Sequence, residues 1–304
     1  GLVRPAHVPA ELALVCVGGA TIGGSGKTRV AIECARELAS RGLRVALVGH
    51  AYHAAPAWPR VVSPEDALVD VGDEAIVCAR ALGPWNVPVV VGPTRQAAID
   101  YATALPAGVD ALVLDGPLGI RGRTGGRTLT LLAVDANRPW GSGRLPPSGD
   151  LRAPRELLLS HADHVVPVDP MPTHVRWRGG ETTSVRSLRT MSLGLFTAIA
   201  RPDRLIRALA AAGIHPREVV SVDDHGPLRA EHERVMTGRV DAWIATQKCA
   251  LHLDGVDLGG PVGVLEGNVE LPPPIVAALA EISVLEVHPG RAETACEDHL
   301  HTVP

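Results

Sequence analysis

The sequence predicts an α/β protein: a P-loop, doubly wound and mostly parallel sheet followed by a second, smaller α/β domain. Three observations predict it. An apolar run from Ala13 to Val17 leads into a glycine-rich turn and then a helical pattern from Arg29 to Ser40. Short apolar runs then alternate with helical stretches as far as residue 168. After a break rich in Pro, Thr, Arg and Gly, the same alternation resumes near Ser192.

The first helix carries its apolar face on Val30, Ala31, Cys34, Ala35 and Leu38, and Arg41-Gly42-Leu43 turns the chain into a strand at Arg44 to Val48. Helices are expected at Asp73 to Leu82 and Thr94 to Ala104. Buried strands are expected at Val87 to Val91, Ala111 to Leu114, Leu129 to Val134 and His164 to Val168. Residues 1–168 thus read as the nucleotide-binding domain, 169–189 as a linker, and 190–304 as the smaller α/β domain. In that last part, strands are expected at Ser192 to Ile199, Val219 to Val222 and Ala242 to Thr246, with helices at Pro202 to Ala212 and Leu228 to Thr237. An apolar helix near Ile275 to Ala280 and a strand near Val284 to Val287 precede an end that reads as frayed.

The 304 residues are 46% hydrophobic and 20% charged, an ordinary globular balance. With only five Trp, two Tyr and one Phe, the cores must be built from Ala, Val and Leu, which disfavours stacked platforms for nucleic acid. A net charge of −4 argues the same way, so no nucleic-acid partner is expected. Cysteines at 16, 34, 78, 249 and 296 show no C-x-x-C spacing and read as reduced thiols of a cytoplasmic protein. No run reaches the roughly eighteen apolar residues of a membrane span, and the first ten residues do not pattern as a signal peptide. The chain is therefore expected in the cytoplasm, at most resting on a membrane surface.

The turn Thr21-Ile22-Gly23-Gly24-Ser25-Gly26-Lys27-Thr28 is built to hold a nucleotide's phosphates. Gly23, Gly24 and Gly26 let backbone N–H groups, with that of Ser25, converge on phosphate oxygens; Lys27 supplies a cation, and the Thr28 hydroxyl is placed to ligate Mg²⁺. The general G-x-x-x-x-G-K-[ST] pattern wants Gly where this chain has Thr21. Among 29 basic residues only Lys27 and Lys248 are lysines. A compact ammonium suits a tight phosphate loop where a planar guanidinium does not.

Asp115 closes an apolar run and precedes Gly116, where a second Mg²⁺-organising carboxylate belongs; the plain alternative is a turn Asp facing solvent. Asp73 and Glu74 open a helix and, as residues alone, read as caps. His225 follows Asp223-Asp224 beyond a strand end, where open α/β sheets place ligands, but 13 histidines leave it unremarkable. The loop Arg121 to Arg127 reads either as solvated or as a hold for an acceptor's phosphate, while Arg95 and Arg152 flank helices and read as structural on residues alone.

Together these motifs resemble tetraacyldisaccharide 4'-kinase, the lipid A 4'-kinase family of Gram-negative bacteria, from about Val15 to Leu251. That family also has Thr at the Thr21 position. Val71-Gly72-Asp73-Glu74 resembles its Gly-Asp-Glu motif, and Val89 to Gly92 leading to Arg95 resembles the strand and arginine that follow. The glycine, leucine, proline and arginine stretch from Gly141 to Arg152, the segment Ala200 to Arg204, and Asp223-Asp224-His225 match in order. The resemblance implies a two-domain kinase using ATP and Mg²⁺ on a glycolipid disaccharide 1-phosphate, with peripheral contact to the inner membrane. It implies Lys27 on the phosphates, Thr28 and Asp115 at the metal, and an Asp73 and His225 pair at the acceptor hydroxyl, with Arg95, Arg121 and Arg152 as candidate substrate-binding residues. The chain departs from the family at Asp115-Gly116-Pro117-Leu118, which has one carboxylate of a usual pair, at His50-Ala51-Tyr52-His53, and at Thr246-Gln247-Lys248-Cys249. The family's hydrophobic N-terminal helix has no expected counterpart in the sequence as read. A P-loop ATPase or GTPase switch and a catalytically degenerate paralogue of the kinase are the competing readings.

Overall fold

The computed structural model describes residues 4–283, apart from 50, 52–53, 122–125, 170, 200–201, 223–227, 229, 237–238 and 268. Its first half is the expected alternation. Strand β1 (Arg4–Pro5) precedes β2 (Ala13–Gly19), α1 (Lys27–Ser40), β3 (Val45–Val48), β4 (Arg60–Val61), α2 (Leu68–Val71) and α3 (Asp73–Leu82). Then come β5 (Val89–Val91), α4 (Arg95–Thr103), β6 (Ala111–Gly116), β7 (Ile120–Arg121), β8 (Thr128–Asp135), α5 (Arg155–Ser160) and β9 (His164–Val168).

Seven of these strands form one sheet in the order β4-β5-β3-β6-β2-β8-β9, parallel throughout except for the antiparallel edge strand β4. The P-loop strand β2 lies between β6 and β8, and every residue of it is buried, because helices cover both faces of a parallel sheet. Helices α1 and α3 share one face with Val15, Val17 and Val113; Ala98, Ile99 and Ala102 of α4 cover the other with Leu14 and Leu114. The strand ends that follow β2 and β6 therefore open on the same edge. That edge carries Gly19 and Asp115.

The second half contains β10 (His174–Trp177), β11 (Thr182–Ser184), β12 (Leu193–Thr197), α6 (Pro202–Ala211), β13 (Glu218–Ser221), α7 (Ala230–Met236), β14 (Ala242–Thr246), α8 (Gln247–Ala250), β15 (Val262–Glu266) and α9 (Pro273–Ser283). Its six-stranded sheet runs β11-β10-β15-β14-β12-β13. Strands β12 to β15 pair in parallel, and β10 and β11 add an antiparallel edge.

Two boundaries differ from those read in the sequence. Residues 169–189, expected as a linker, supply the β10–β11 hairpin of the second sheet, because Val175 is buried between its neighbours while the polar residues beside it face out. Helix α9, expected with the second domain, packs back onto α1, β2 and β8, burying Ile275, Leu279 and Ile282 in the first domain's core. The chain thus crosses between the sheets twice, near 169–173 and near 267–272. The tail strand expected at 284–287 lies outside the described residues. Among the described residues, no helix is long and apolar enough to cross a membrane.

Candidate active site

The turn between β2 and α1 owes its shape to glycine. Gly23, Gly24 and Gly26 have φ of 75°, 69° and 81°, a region that L side chains seldom enter. A Cβ on Gly26 would stand 2.6 Å from Val168 at the end of β9, and one on Gly19 would stand 2.0 Å from the buried Ser25 Oγ. The turn leads through these glycine conformations into the N-terminus of a 14-residue helix, a place suited to anionic oxygens.

Thr21 needs no such freedom. Among the described residues Asn86 is the one non-glycine with positive φ, so Thr21 takes an ordinary backbone conformation. Its hydroxyl donates to the Gly23 carbonyl at 2.9 Å, and its backbone bridges to Leu151. The Ile22 N–H donates to Asp150 O, and the Arg152 N–H to Ala20 O. The glycine- and proline-rich segment 141–152 thus braces the start of the loop and delivers Arg152 to it.

Lys27 Nζ lies 3.2 Å from Glu74 Oε2, 3.5 Å from Asp115 Oδ1 and 3.2 Å from Thr28 Oγ1. Burial alone would lower the pKa of this ammonium, but Asp115 and Glu74 outweigh that and hold it above the usual lysine value of 10.5. Burial likewise pushes the Glu74 carboxyl up, and Lys27 and Lys248 more than offset it, leaving the group below its ordinary 4.5. The loop therefore carries a lysine kept charged beside a glutamate kept ionised.

The Thr28 hydroxyl donates to Asp115 Oδ2 at 2.8 Å. Asp115 is 2% exposed, and its other oxygen, Oδ1, is buried without a hydrogen bond. A buried carboxylate oxygen with a 3.5 Å ion pair to Lys27 and no hydrogen bond, beside a threonine hydroxyl at a phosphate loop, is a hard-oxygen donor set that fits Mg²⁺. Arg95 Nη1 donates to the Asp115 carbonyl at 3.1 Å and Arg152 Nη1 to the Gly116 carbonyl at 3.2 Å, so both guanidiniums anchor on the end of β6. Arg152 is near enough for its charge to act on Lys27.

Asp73 opens α3 and accepts the Glu74 N–H at Oδ1, 2.7 Å away, as a cap would. Yet it is 4% exposed, which a mere surface cap is not. Its Oδ2 faces the second domain, 3.7 Å from Lys248 Nζ on α8 and 3.7 Å from His252 Nε2 in the following turn. Between the two sheets lies a cleft of about 230 Å³ whose lining includes Thr28, Glu74, Met171, Leu205, Lys248 and Leu265. It is largely apolar, with Arg29, Glu74 and Lys248 as its charged lining.

The structure thus brings together Thr21, the three loop glycines, Ser25, Lys27, Thr28, Asp115, Arg95 and Arg152, with Asp73 joined to the group through Glu74. Arg121 is exposed in the short strand paired with Arg4–Pro5. His225 lies outside the described residues. Sequence reasoning passed over Glu74 as the partner of Lys27, and His252. The adjacency of Glu74 to Asp73 and the rarity of lysine, which pointed to Lys248, were the available signals.

A family model described as tetraacyldisaccharide-1-P 4'-kinase matches residues 1–281. The chain belongs to the tetraacyldisaccharide 4'-kinase family. A tetraacyldisaccharide 4'-kinase of Anaeromyxobacter dehalogenans (strain 2CP-1) is 33% identical over 300 residues, covering 86% of this chain and 78% of its own length. Another, from Dinoroseobacter shibae, is 33% identical over 246 residues, covering 74% and 69%. A crystal structure of the "apo" form of LpxK from Aquifex aeolicus in complex with ATP is similar with a TM-score of 0.67 over 92% of this chain and 90% of that one. At 20% identity that likeness establishes the family's fold for both halves of the molecule.

Proposed function

We propose that this chain transfers the γ-phosphate of ATP to the 4'-hydroxyl of a tetraacyldisaccharide 1-phosphate, the activity for which its relatives are named. The observation that carries the reading is the group Lys27, Thr28 and Asp115 at the glycine turn, with the buried carboxylate Asp73 one residue from Lys27's partner Glu74. Phosphoryl transfer asks little covalent chemistry of a protein and a great deal of positioning and charge stabilisation.

Lys27 neutralises charge on the β- and γ-phosphates, exchanging its contact with Glu74 for theirs. Thr28 and Asp115 would hold Mg²⁺, which when bound supplies Lewis-acid polarisation of phosphate oxygens. Asp73 takes the proton of the acceptor hydroxyl, a weak nucleophile unless a base stands within hydrogen-bond reach, and His225 is its partner in this reading. Arg95 and Arg152, each donating to the end of β6, bring their charge to the transferred or acceptor phosphate. Arg121 is proposed to meet the acceptor from the exposed rim. The apolar lining of the interdomain cleft suits an acylated acceptor presented from a membrane surface, with the protein docked peripherally on its cytoplasmic side.

The test is incubation with γ-labelled ATP, Mg²⁺ and detergent-dispersed disaccharide 1-phosphate. The reading predicts label in the lipid fraction. Label released only as inorganic phosphate, independent of acceptor, would instead favour a nucleotide switch of the same loop type, and ATP binding with no turnover would favour a degenerate paralogue.

A further inference from the structure

The chain's two lysines face two consecutive carboxylates: Lys27 lies 3.2 Å from Glu74, and Lys248 lies 3.7 Å from Asp73. The first pair lies within the nucleotide domain. The second joins the two domains, because Asp73 opens α3 beside α1 whereas Lys248 stands on α8 at the end of β14.

The two oxygens of Asp73 have different surroundings. Oδ1 is fixed by the Glu74 N–H of its own helix at 2.7 Å. Oδ2 looks across the domain junction at Lys248 Nζ and His252 Nε2, each 3.7 Å away. His252 has a side chain 9% exposed, and its Nε2 is buried with no hydrogen bond. A buried ring nitrogen without a hydrogen bond is destabilising. It faces Asp73 Oδ2, which a movement of under about 1 Å would bring within hydrogen-bond range. Contacts of this kind are often long before a reacting complex forms and shorten within it.

We propose that Lys248 and His252, both supplied by the second domain, are positioning residues for Asp73. They hold Oδ2 toward the junction while the Glu74 amide holds Oδ1, so the carboxylate is aimed only when the two domains are docked. Neither acts on the acceptor directly. The arrangement suits a lysine at 248 in a chain whose basic residues, these two lysines apart, are all arginine: an ammonium on a flexible stem can approach a single carboxylate oxygen beside an imidazole more readily than a planar fork. This inference rests on the kinase reading above, in which Asp73 accepts the hydroxyl proton.

The experiment measures steady-state transfer by the full chain and by Lys248→Met, Lys248→Arg, His252→Ala and His252→Gln, each also assayed for ATP affinity and thermal midpoint. Lys248→Met and His252→Ala are expected to lower kcat about ten- to a hundredfold while KM for ATP stays within about twofold. Glutamine, which places an N–H donor near the position of Nε2, is expected to recover most of the loss at 252, and Lys248→Arg to recover little. Packing alone would give a loss that follows the thermal midpoint and is not rescued by glutamine, and that result overturns the inference. Unchanged kcat in Lys248→Met with an active wild type also overturns it, leaving the kinase reading in place. A wild-type chain that transfers nothing to the glycolipid overturns both.

Discussion

Thr28 Oγ1 and Asp115 Oδ2, 2.8 Å apart, join the first turn of the phosphate-loop helix to the end of the neighbouring strand. The contact exists because β2 and β6 run parallel and in register, with Val17 beside Asp115, so both strands end on the same edge of the sheet. In the reading proposed above, Asp115 supplies the charge at the Mg²⁺ site. Asp115→Asn keeps the size and a hydrogen bond to Thr28 but removes the charge. It is expected to lower transfer by about a hundredfold or more and to move the dependence of rate on free Mg²⁺ to higher concentration. Rate measured against free Mg²⁺ checks this; an unchanged curve would contradict it.

The Lys27 and Glu74 pair makes stability depend on pH in a definite direction. Glu74 is held below its ordinary 4.5 in the folded chain, so its stabilisation is present above that value and is lost as pH falls through the folded pKa. Lys27 is held above 10.5, so its share is present below that value and is lost as pH rises through its folded pKa. Glu74→Gln should therefore flatten the acid limb of a stability profile taken by chemical denaturation, with little change near neutrality beyond the loss of the pair itself. An acid limb as steep as that of the wild type would contradict the pairing.

Gly26→Ala tests the shape of the loop. The new methyl would meet Val168, which a Cβ approaches to 2.6 Å, at a residue whose φ is 81°. Left-handed backbone alone costs an alanine about 1–2 kcal/mol, and the contact adds to it. The expected outcome is at least about tenfold weaker ATP binding by calorimetry, with the far-ultraviolet dichroism of the wild type.

Arg29 follows Thr28 directly and grips both chain crossings between the domains. Its Nη1 donates to Asp169 O at 2.9 Å and its Nη2 to Gly267 O at 2.6 Å. Gly267 is where a side chain would not fit, a Cβ there standing 2.8 Å from Met171 O. Arg29→Ala is expected to cost about 1–3 kcal/mol and to lower the thermal midpoint by a few degrees. Its effect on ATP affinity should exceed that of an equally destabilising change in the far core, since the clamp begins one residue after Thr28, the proposed Mg²⁺ ligand.

The parts legible in sequence were those fixed by local pattern. The glycine turn, α3 at Asp73–Leu82, β9 at His164–Val168 and β14 at Ala242–Thr246 follow from periodicity and from residues with few conformational choices. The β10–β11 hairpin, strand β15 and the return of α9 to the first core did not show, because each is decided by a partner far along the chain: Val175 by Leu265, Leu279 by the helix α1. The site divides the same way. Lys27 and Thr28 announce themselves by motif, whereas Glu74 reaches Lys27 through the packing of α3 on α1, and Lys248 and His252 reach Asp73 across the domain junction. Asp73 was indistinguishable from a cap until its burial was known, and it is in fact also a partner of its own helix's first N–H.

The central claim, that Lys27, Thr28, Asp115 and Asp73 serve one phosphoryl transfer to a sugar hydroxyl, is tested most directly by the phosphorus NMR spectrum of the product isolated from ATP, Mg²⁺ and disaccharide 1-phosphate. The account predicts a second phosphomonoester coupled to the proton at the 4' carbon for the wild type, and its disappearance for Lys27→Ala. A spectrum showing only the original 1-phosphate and free inorganic phosphate, from protein that consumes ATP, would contradict it.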